Sequence, residues 1–327
     1  MSRSTVTAPP VIDILNRVSG SVAIIGSANA DITVRTSTLP RPGETVAGAP
    51  VDVLPGGKSA NQAAQASLLG AAVAFLGAIG QDAYGDLLEA SLIESGVDIT
   101  HLDRIAEASG TAVITVDDYG ENTIVVSAGA NDAVDEYFVD TRAIVIRDAV
   151  VVGLCLEAPL SGVLAAARLA SEHHSQVLLN LSPFREVPAE LLQLVDVLVV
   201  NETELSDLLG EPVDVDGLLS DHFVQESVAV RLAVVGVARA VVTLGGRGAL
   251  VLDGHVATPI RAISITPVDT TGCGDSFFGA ILAALASGAS LVDACRMATV
   301  TAAVAATRRG AQRSYADRSE LRDLLGH

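Results

Sequence analysis

Short apolar runs separated by polar, glycine-rich breaks recur along the chain, and their lengths sort them into strands and helices. Residues 22–25 form a continuous apolar stretch of strand length ending at Gly26, and residues 72–79 form another. Runs that are apolar at every position suit strands covered on both faces. From Asp148 onward the pattern becomes regular, predicting strands over 149–154, 177–181, 195–200 and 240–244, a helix over 161–173, and helical segments between most of the others. Near the C-terminus Phe277, Phe278, Ile281, Leu282 and Leu285 fall at helical spacing, and a further helix is predicted over 291–307. Such strand–helix alternation implies an α/β fold with a mostly parallel sheet and right-handed crossovers.

Two stretches leave this pattern. Residues 32–55 carry short alternating segments broken by Pro40, Pro42, Gly43 and Gly48. Within 99–127, the segments 111–116 and 123–126 flank Asp117-Asp118-Tyr119-Gly120-Glu121-Asn122, a hairpin pattern. Both excursions are expected to pair into a small separate sheet, a candidate lid. Residues 1–20, with Pro9-Pro10 and little periodicity, are expected to be a flexible tail with a short helix around 12–18. With no internal repeat and no low-complexity linker, residues 21–327 are expected to form one domain carrying the lid.

Composition narrows the partners. The formal charge of −19 argues against nucleic acid or an anionic membrane surface, so any polyanion must meet a local positive site. Of the 20 basic residues only Lys58 is lysine, which marks it as a place where a compact ammonium is required and a planar guanidinium fits badly. Three cysteines, Cys155, Cys273 and Cys295, have neither disulfide nor metal spacing, as expected in a reducing cytoplasm. The six histidines show no ligand spacing. No uncharged apolar run approaches the length of a membrane span, and no basic-then-apolar leader opens the chain.

The richest stretch for chemistry is Asp269-Thr270-Thr271-Gly272-Cys273-Gly274-Asp275, placed where the last apolar helices begin. A helix start there would present the N–H groups of Gly272, Cys273 and Gly274 to an anion, phosphate above all. Asp275 is then either a general base beside that anion or an acidic residue favouring the helix dipole. Two common nucleotide motifs are excluded. Gly57-Lys58-Ser59 lacks the upstream glycine of a P-loop, since position 52 is Asp52, and Gly272-Cys273-Gly274 lacks the third glycine of a dinucleotide loop, since position 277 is Phe277.

Other polar clusters end predicted strands, where a parallel sheet would gather them at one edge. Asn29 and Asp31 suit either hydrogen bonds to vicinal hydroxyls or a turn. Glu157 either binds a hydroxyl or faces solvent beyond its strand. Asn201-Glu202-Thr203-Glu204 fits both water-mediated Mg2+ binding and a capping box. Thr243 to Gly248 is either a simple turn or a backbone that a nucleotide approaches closely.

In this order the clusters resemble the ribokinase branch of the ribokinase-like carbohydrate kinases, over residues 22–314. Gly26 to Asp31 is similar to the family's sugar-binding segment, Gly56-Gly57-Lys58-Ser59-Ala60-Asn61-Gln62 to its di-glycine signature, and Asn201 to Glu204 to its Asn-x-x-Glu motif. Thr243 to Gly248 resembles its nucleotide loop, Asp269 to Asp275 its anion-hole signature, and Thr307 to Ser314 its C-terminal segment. Ser59, where glycine is frequent, Cys273 and Phe278 depart mildly.

The resemblance implies a three-layer sandwich with a small β-sheet lid, and an ATP-dependent kinase of the 5-hydroxyl of D-ribose. It implies Asp275 as base with Gly272, Cys273 and Gly274 as anion hole, and a sugar held by Asn29, Asp31, Gly57, Lys58, Asn61 and Glu157. It implies ATP and Mg2+ near Asn201, Glu204, Thr243, Gly245, Gly248 and Gly274. It implies a potassium cage of Asp269, Thr271, Ser314 and the carbonyls of Ala305, Arg308 and Gly310. A homodimer through the lid is expected, because exposed strand edges rarely stay unpaired. The alternatives are a nucleoside or deoxyribose kinase of the same fold, and a sugar-sensing binding protein without turnover.

Overall fold

The computed structural model describes residues 8–326. In its large sheet β1 (Ser21–Ile25) is flanked by β4 (Ala72–Gly80) and β8 (Val151–Cys155), both parallel to it. On one side the sheet ends with β5 (Leu102–Ile105); on the other it continues through β9 (Gln176–Asn180), β10 (Val197–Asn201) and β11 (Arg239–Thr243), all parallel. An antiparallel pair, β12 (Ala249–Asp253) and β13 (Val256–Ile260), completes the nine strands. The small sheet has the order β3 (Asp52–Gly56), β2 (Asn29–Arg35), β6 (Gly110–Val116), β7 (Asn122–Ser127).

The parallel strands are buried on both faces, and their side chains alternate between two cores. Ile24, Phe75, Val151, Leu178, Val197 and Val241 face one helical layer, while Ala23, Ile25, Leu154, Leu179, Leu198 and Val242 face the other. This is the three-layer arrangement expected. The helix Cys273–Ala286 is buried at every position from Asp275 onward, wedged between the sheet and the helices Lys58–Leu68 and Leu291–Ala305. Helices that are apolar all round belong inside a protein, and this one brings Asp275 to the interior at its first turn.

Two expectations need correcting. From Ala8 the chain is helical to Arg17, and Val11, Leu15 and Val18 are buried in the core, so only residues 1–7 of the expected tail lie outside the described residues. Pro9 and Pro10 occupy the first helical turn, where their missing N–H groups break no bond. In the 99–127 excursion, residues 102–105 pair with Gly77 to Gly80 at the edge of the large sheet instead of joining the small one. That strand is only four residues long and carries Asp103 and Arg104 at its centre, so it has no apolar run to betray it.

Because β1 runs between β4 and β8, the chain winds outward from it in both directions. Its C-terminal end is the switch point at which open α/β sheets form a crevice. Leu15→Ala should lower unfolding stability by about 2–5 kcal/mol in urea titrations, the cost of emptying a core position. A change below about 0.5 kcal/mol would mean that the N-terminal helix is not part of the core.

Candidate active site

The crevice is built from the ends of strands on both sides of the switch point. Directly after β1 the chain turns at Gly26 into β2, and β3 returns it to Gly57, the residue before the helix Lys58–Leu68. Gly57 has φ +87°, and a Cβ there would lie 2.6 Å from the backbone nitrogen of Asn29, so only glycine lets the helix start against the root of β2. Lys58, Asn201, Glu204, Thr243, Gly274 and Asp275 line one cleft of about 150 Å3. These residues come from four separate parts of the sequence. A larger cavity of about 390 Å3, lined by Asp13, Arg17 and Asp293 among others, lies at the N-terminal helix and contains none of them.

Asp275 is buried, and both its oxygens accept hydrogen bonds from side-chain amides: Oδ2 from Asn61 Nδ2 at 2.9 Å and Oδ1 from Gln62 Nε2 at 3.2 Å. Asn61 is itself held, its Oδ1 accepting from Gln312 Nε2 at 3.0 Å, and Gln312 Oε1 accepts from Ser91 Oγ at 2.5 Å. An ionised carboxylate only accepts, so it fixes the direction of every donor in this chain. Asn61, expected against a sugar, thus has both ends of its amide engaged within the protein and serves first to hold Asp275.

Of the three N–H groups expected to form an anion hole, two are without protein partners among the described residues. Gly272, with φ +72°, precedes the helix Cys273–Ala286, and its carbonyl accepts from the Tyr315 hydroxyl at 2.9 Å. The Cys273 N–H is already bonded to the Thr270 carbonyl at 3.2 Å, which leaves the N–H groups of Gly272 and Gly274 without protein partners among the described residues. Around Gly274 nothing lies within 4 Å of where a Cβ would stand, so the side-chain face of the backbone is open there. Burial, with the nearby Asp269 and Asp275 charges, pushes the Cys273 thiol up to about 11, and it stays protonated near neutrality.

Four charged groups share the crevice. Burial, reinforced by Glu157 and Asp275 and opposed by Lys58, pushes Asp31 up to about 7. For Lys58 burial works against the charge, but Asp275 and Glu157 outweigh it and raise its proton affinity, so the ammonium is secure. Glu157 Oε2 accepts from Ser27 Oγ at 2.6 Å and from the Lys58 N–H at 3.0 Å, so this expected sugar ligand also fastens β1 to the helix start.

Asn201 and Glu204 form a complete capping box, each accepting from the other's N–H at 2.8 Å. The structure thereby answers one of the two readings of this motif while leaving Glu204 Oε1 outside the box. Gly248, with φ +101°, closes the β11–β12 turn, and Gly245 faces open space. Arg247 in that turn pairs with Glu202 at 2.5 Å and with Asp216 at 3.2 Å.

The residues expected to cage a cation lie on two neighbouring loops. Asp269 accepts from the Thr271 N–H and hydroxyl through Oδ1, at 2.9 and 2.7 Å, and from the Gly310 N–H through Oδ2 at 3.0 Å, tying the two loops together. These bonds outweigh its burial and hold its carboxyl below the usual range. The Ala305 carbonyl accepts the Arg308 N–H at 3.0 Å, the Arg308 side chain turns away to Glu320, and the buried Ser314 hydroxyl donates to the Ala311 carbonyl at 2.6 Å. Among the described residues no three His, Cys, Asp or Glu side chains gather closely enough to hold a metal by themselves.

Sequence reasoning missed Gln62, Gln312, Ser91 and Asn131, which hold the expected residues, and Asn180 and Ser182, which join the cleft wall. Gln62 lay inside the quoted di-glycine signature and Gln312 inside the C-terminal one, so a signal existed for both. Asn131 and Ser91 carried none.

Comparison with known proteins agrees with this geometry. The model of the pfkB family of carbohydrate kinases matches residues 19–318. A ribokinase from Haemophilus influenzae is 35% identical over 94% of this chain and 99% of its own length. A deoxyribokinase from Salmonella typhi is 31% identical over 93% and 98%. The structure of Arabidopsis thaliana ribokinase complexed with ribose and ATP superposes with a TM-score of 0.86 at 32% identity, covering 94% of this chain and 99% of that one. A fold, a crevice and a family model that coincide over nearly the whole length leave one assignment: the chain belongs to the pfkB family of carbohydrate kinases.

Proposed function

We propose that this protein transfers the γ-phosphoryl group of ATP to the 5-hydroxyl of D-ribose. The observation that carries the reading is Asp275: a buried carboxylate at the mouth of a helix start, held by two amides and next to Gly274, whose N–H has no protein partner among the described residues. As the bond from the sugar oxygen to the γ-phosphorus forms and the bond from that phosphorus to the β,γ-bridging oxygen breaks, Asp275 takes the hydroxyl proton and ADP leaves. The N–H groups of Gly272 and Gly274 stabilise charge on the transferred group. Asn29, Asp31, Gly57 and Glu157 hold the sugar, Asn61 orients the base, and Lys58 supplies the positive charge between sugar and phosphates.

Thr243, Gly245 and Gly248 bound the nucleotide. Mg2+, which usually keeps several waters, neutralises phosphate charge; Asn201 and the free Oε1 of Glu204 would hold it through those waters. A monovalent cation would be held by Asp269, Thr271 and the carbonyls of Ala305, Arg308 and Gly310, with Ser314, and would supply a fixed positive charge behind the anion hole. The bonds from Asp269 to both loops support that donor set. The small sheet acts as a lid that excludes water.

The deoxyribokinase relative favours one second reading, a deoxyribose kinase with the same chemistry. Dimerisation through the lid is supported by β7, an edge strand exposed along its length that carries Ile124, Val125 and Val126 to solvent. A reducing, cytoplasmic setting is supported by three unpaired cysteines, two of them buried. No helix among the described residues is long and apolar enough to cross a membrane.

A coupled ADP-release assay over ribose, deoxyribose, fructose and nucleosides should give its highest kcat/KM with ribose, require Mg2+, and run faster in potassium than in Tris salts. A preference for deoxyribose or a nucleoside would replace the substrate, and equal rates in both salts would remove the cation. In the same assay Asp275→Asn should lose about 10²- to 10⁴-fold in kcat; turnover near wild type would remove Asp275 as the base. Light scattering should report twice the chain mass, and a monomer at micromolar concentration would count against the lid interface.

The Asp31 shift sets a pH dependence. In the unfolded chain this carboxyl loses its proton near pH 4, whereas in the folded protein it keeps it to about pH 7. Its contribution to stability is therefore full below about pH 4 and falls as pH rises to about 7, where the buried charge must form. Asp31→Asn, which cannot ionise, should gain stability relative to wild type across that window and keep a constant advantage above it. Parallel stability curves for the two proteins from pH 4 to 8 would contradict the assignment.

A further inference from the structure

The segment that returns from the small sheet delivers a buried amide to the crevice. Asn131 lies in the short turn Gly129–Ala133 after β7 and is 1% exposed. Its Oδ1 accepts the Ala28 N–H at 2.9 Å, and its Nδ2 donates to Asn29 Oδ1 at 2.8 Å. A backbone N–H can only donate, so it dictates which end of the Asn131 amide faces Ala28, and the other end must be the donor toward Asn29. Asn29 therefore turns its carbonyl oxygen toward Asn131, and its own Nδ2 is left without a partner among the described residues.

Gly110, at the root of β6, closes over this pair: a Cβ there would lie 2.1 Å from Asn131 Nδ2 and 2.3 Å from Asn29 Oδ1. Asp31 stands two residues farther on, on the same face of β2, with its carboxylate over Gly56, where a Cβ would come within 2.1 Å. A donor and an acceptor thus stand side by side.

We infer that Asn131 is a positioning residue that sets the polarity of the sugar pocket: it makes Asn29 present an N–H donor beside the acceptor Asp31. The pocket then reads two neighbouring hydroxyls in a defined sense, one oxygen accepting from Asn29 and the other hydroxyl donating to Asp31. This rests on the reading of Asn29 and Asp31 as sugar contacts.

The test is steady-state kinetics of the full chain with D-ribose and ATP. Asn131→Asp keeps an acceptor for the Ala28 N–H but offers Asn29 no donor, so Asn29 turns its amide and shows the sugar an oxygen. The KM for ribose should rise about tenfold or more, the scale of one mismatched buried hydrogen bond, while the KM for ATP stays at the wild-type value. In an Asn29→Ala background the same change should have no further effect on the ribose KM; a full additive effect there, or an equal rise in both KM values, would overturn the inference. Asn29→Asp probes polarity without touching Asn131, since it keeps the acceptor that Asn131 needs and places an oxygen where the donor stood. It should raise the ribose KM at least as much as Asn29→Ala, and a value near wild type would overturn the inference even if Asn131→Asp fails to fold. An unchanged ribose KM in Asn29→Ala is a separate result, which would take Asn29 out of the sugar site and remove the underlying reading itself.

Discussion

A carboxylate buried at the start of an apolar helix must be surrounded by donors, and much of the crevice is arranged by meeting that demand for Asp275. Leaving such a group unpaired costs more than one hydrogen bond contributes, so the donors are structural requirements as well as chemical ones. Asn61 and Gln62 supply them from consecutive positions of one buried helix. Gln312 then ties Asn61 to the C-terminal loop that also meets Asp269 through Gly310. Asp275, the helix start beside it and the proposed cation loops are in this way parts of one hydrogen-bonded unit, and a shift in any of them is felt by the carboxylate.

Charge adds a second constraint. In a protein with a formal charge of −19, Glu157 and Asp275 lie close enough to Asp31 to raise its proton affinity, with Lys58 as the ammonium among them. The repulsion is tolerable only because much of it is absorbed locally. Glu157 is spread over a hydroxyl and a backbone N–H, Asp275 over two amides, and Asp31 keeps its proton to near neutrality. An acidic surface that would otherwise repel a polyphosphate therefore encloses one strongly cationic point, which is the physical meaning of a single lysine in the sequence.

What was legible beforehand follows from where the information resides. Strands buried on both faces write themselves as apolar runs, so 22–25, 177–181 and 240–244 were found within two residues of their observed ends. The hairpin at 111–126 was equally plain, because its turn chemistry and alternation are local. Strand β5 was not, since its pairing with β4 is decided by tertiary position and not by its own four residues. The chemical residues in glycine-rich signatures were legible, but those that hold them were mostly not. Asn131 meets Asn29 across 102 residues and Gln312 meets Asn61 across 251, and a buried amide has no spacing rule that predicts its partner. Asn61 is one such case: expected against a sugar, it donates to Asp275 and accepts from Gln312.

Asn29 is paired in register with Gly56 on one side and Gly110 on the other, so the floor of the crevice is also the root of three of the four strands of the small sheet. From Asn29 to Arg35 strand β2 extends about 20 Å, taking the usual rise per residue. A tilt about that root that carries the far end about 3.5 Å moves Asp31, a third of the way along, about 1 Å and leaves Asn29 in place. The sheet is a lever hinged at the crevice floor, with its widest travel at the rim and its least at the two residues proposed to hold the sugar.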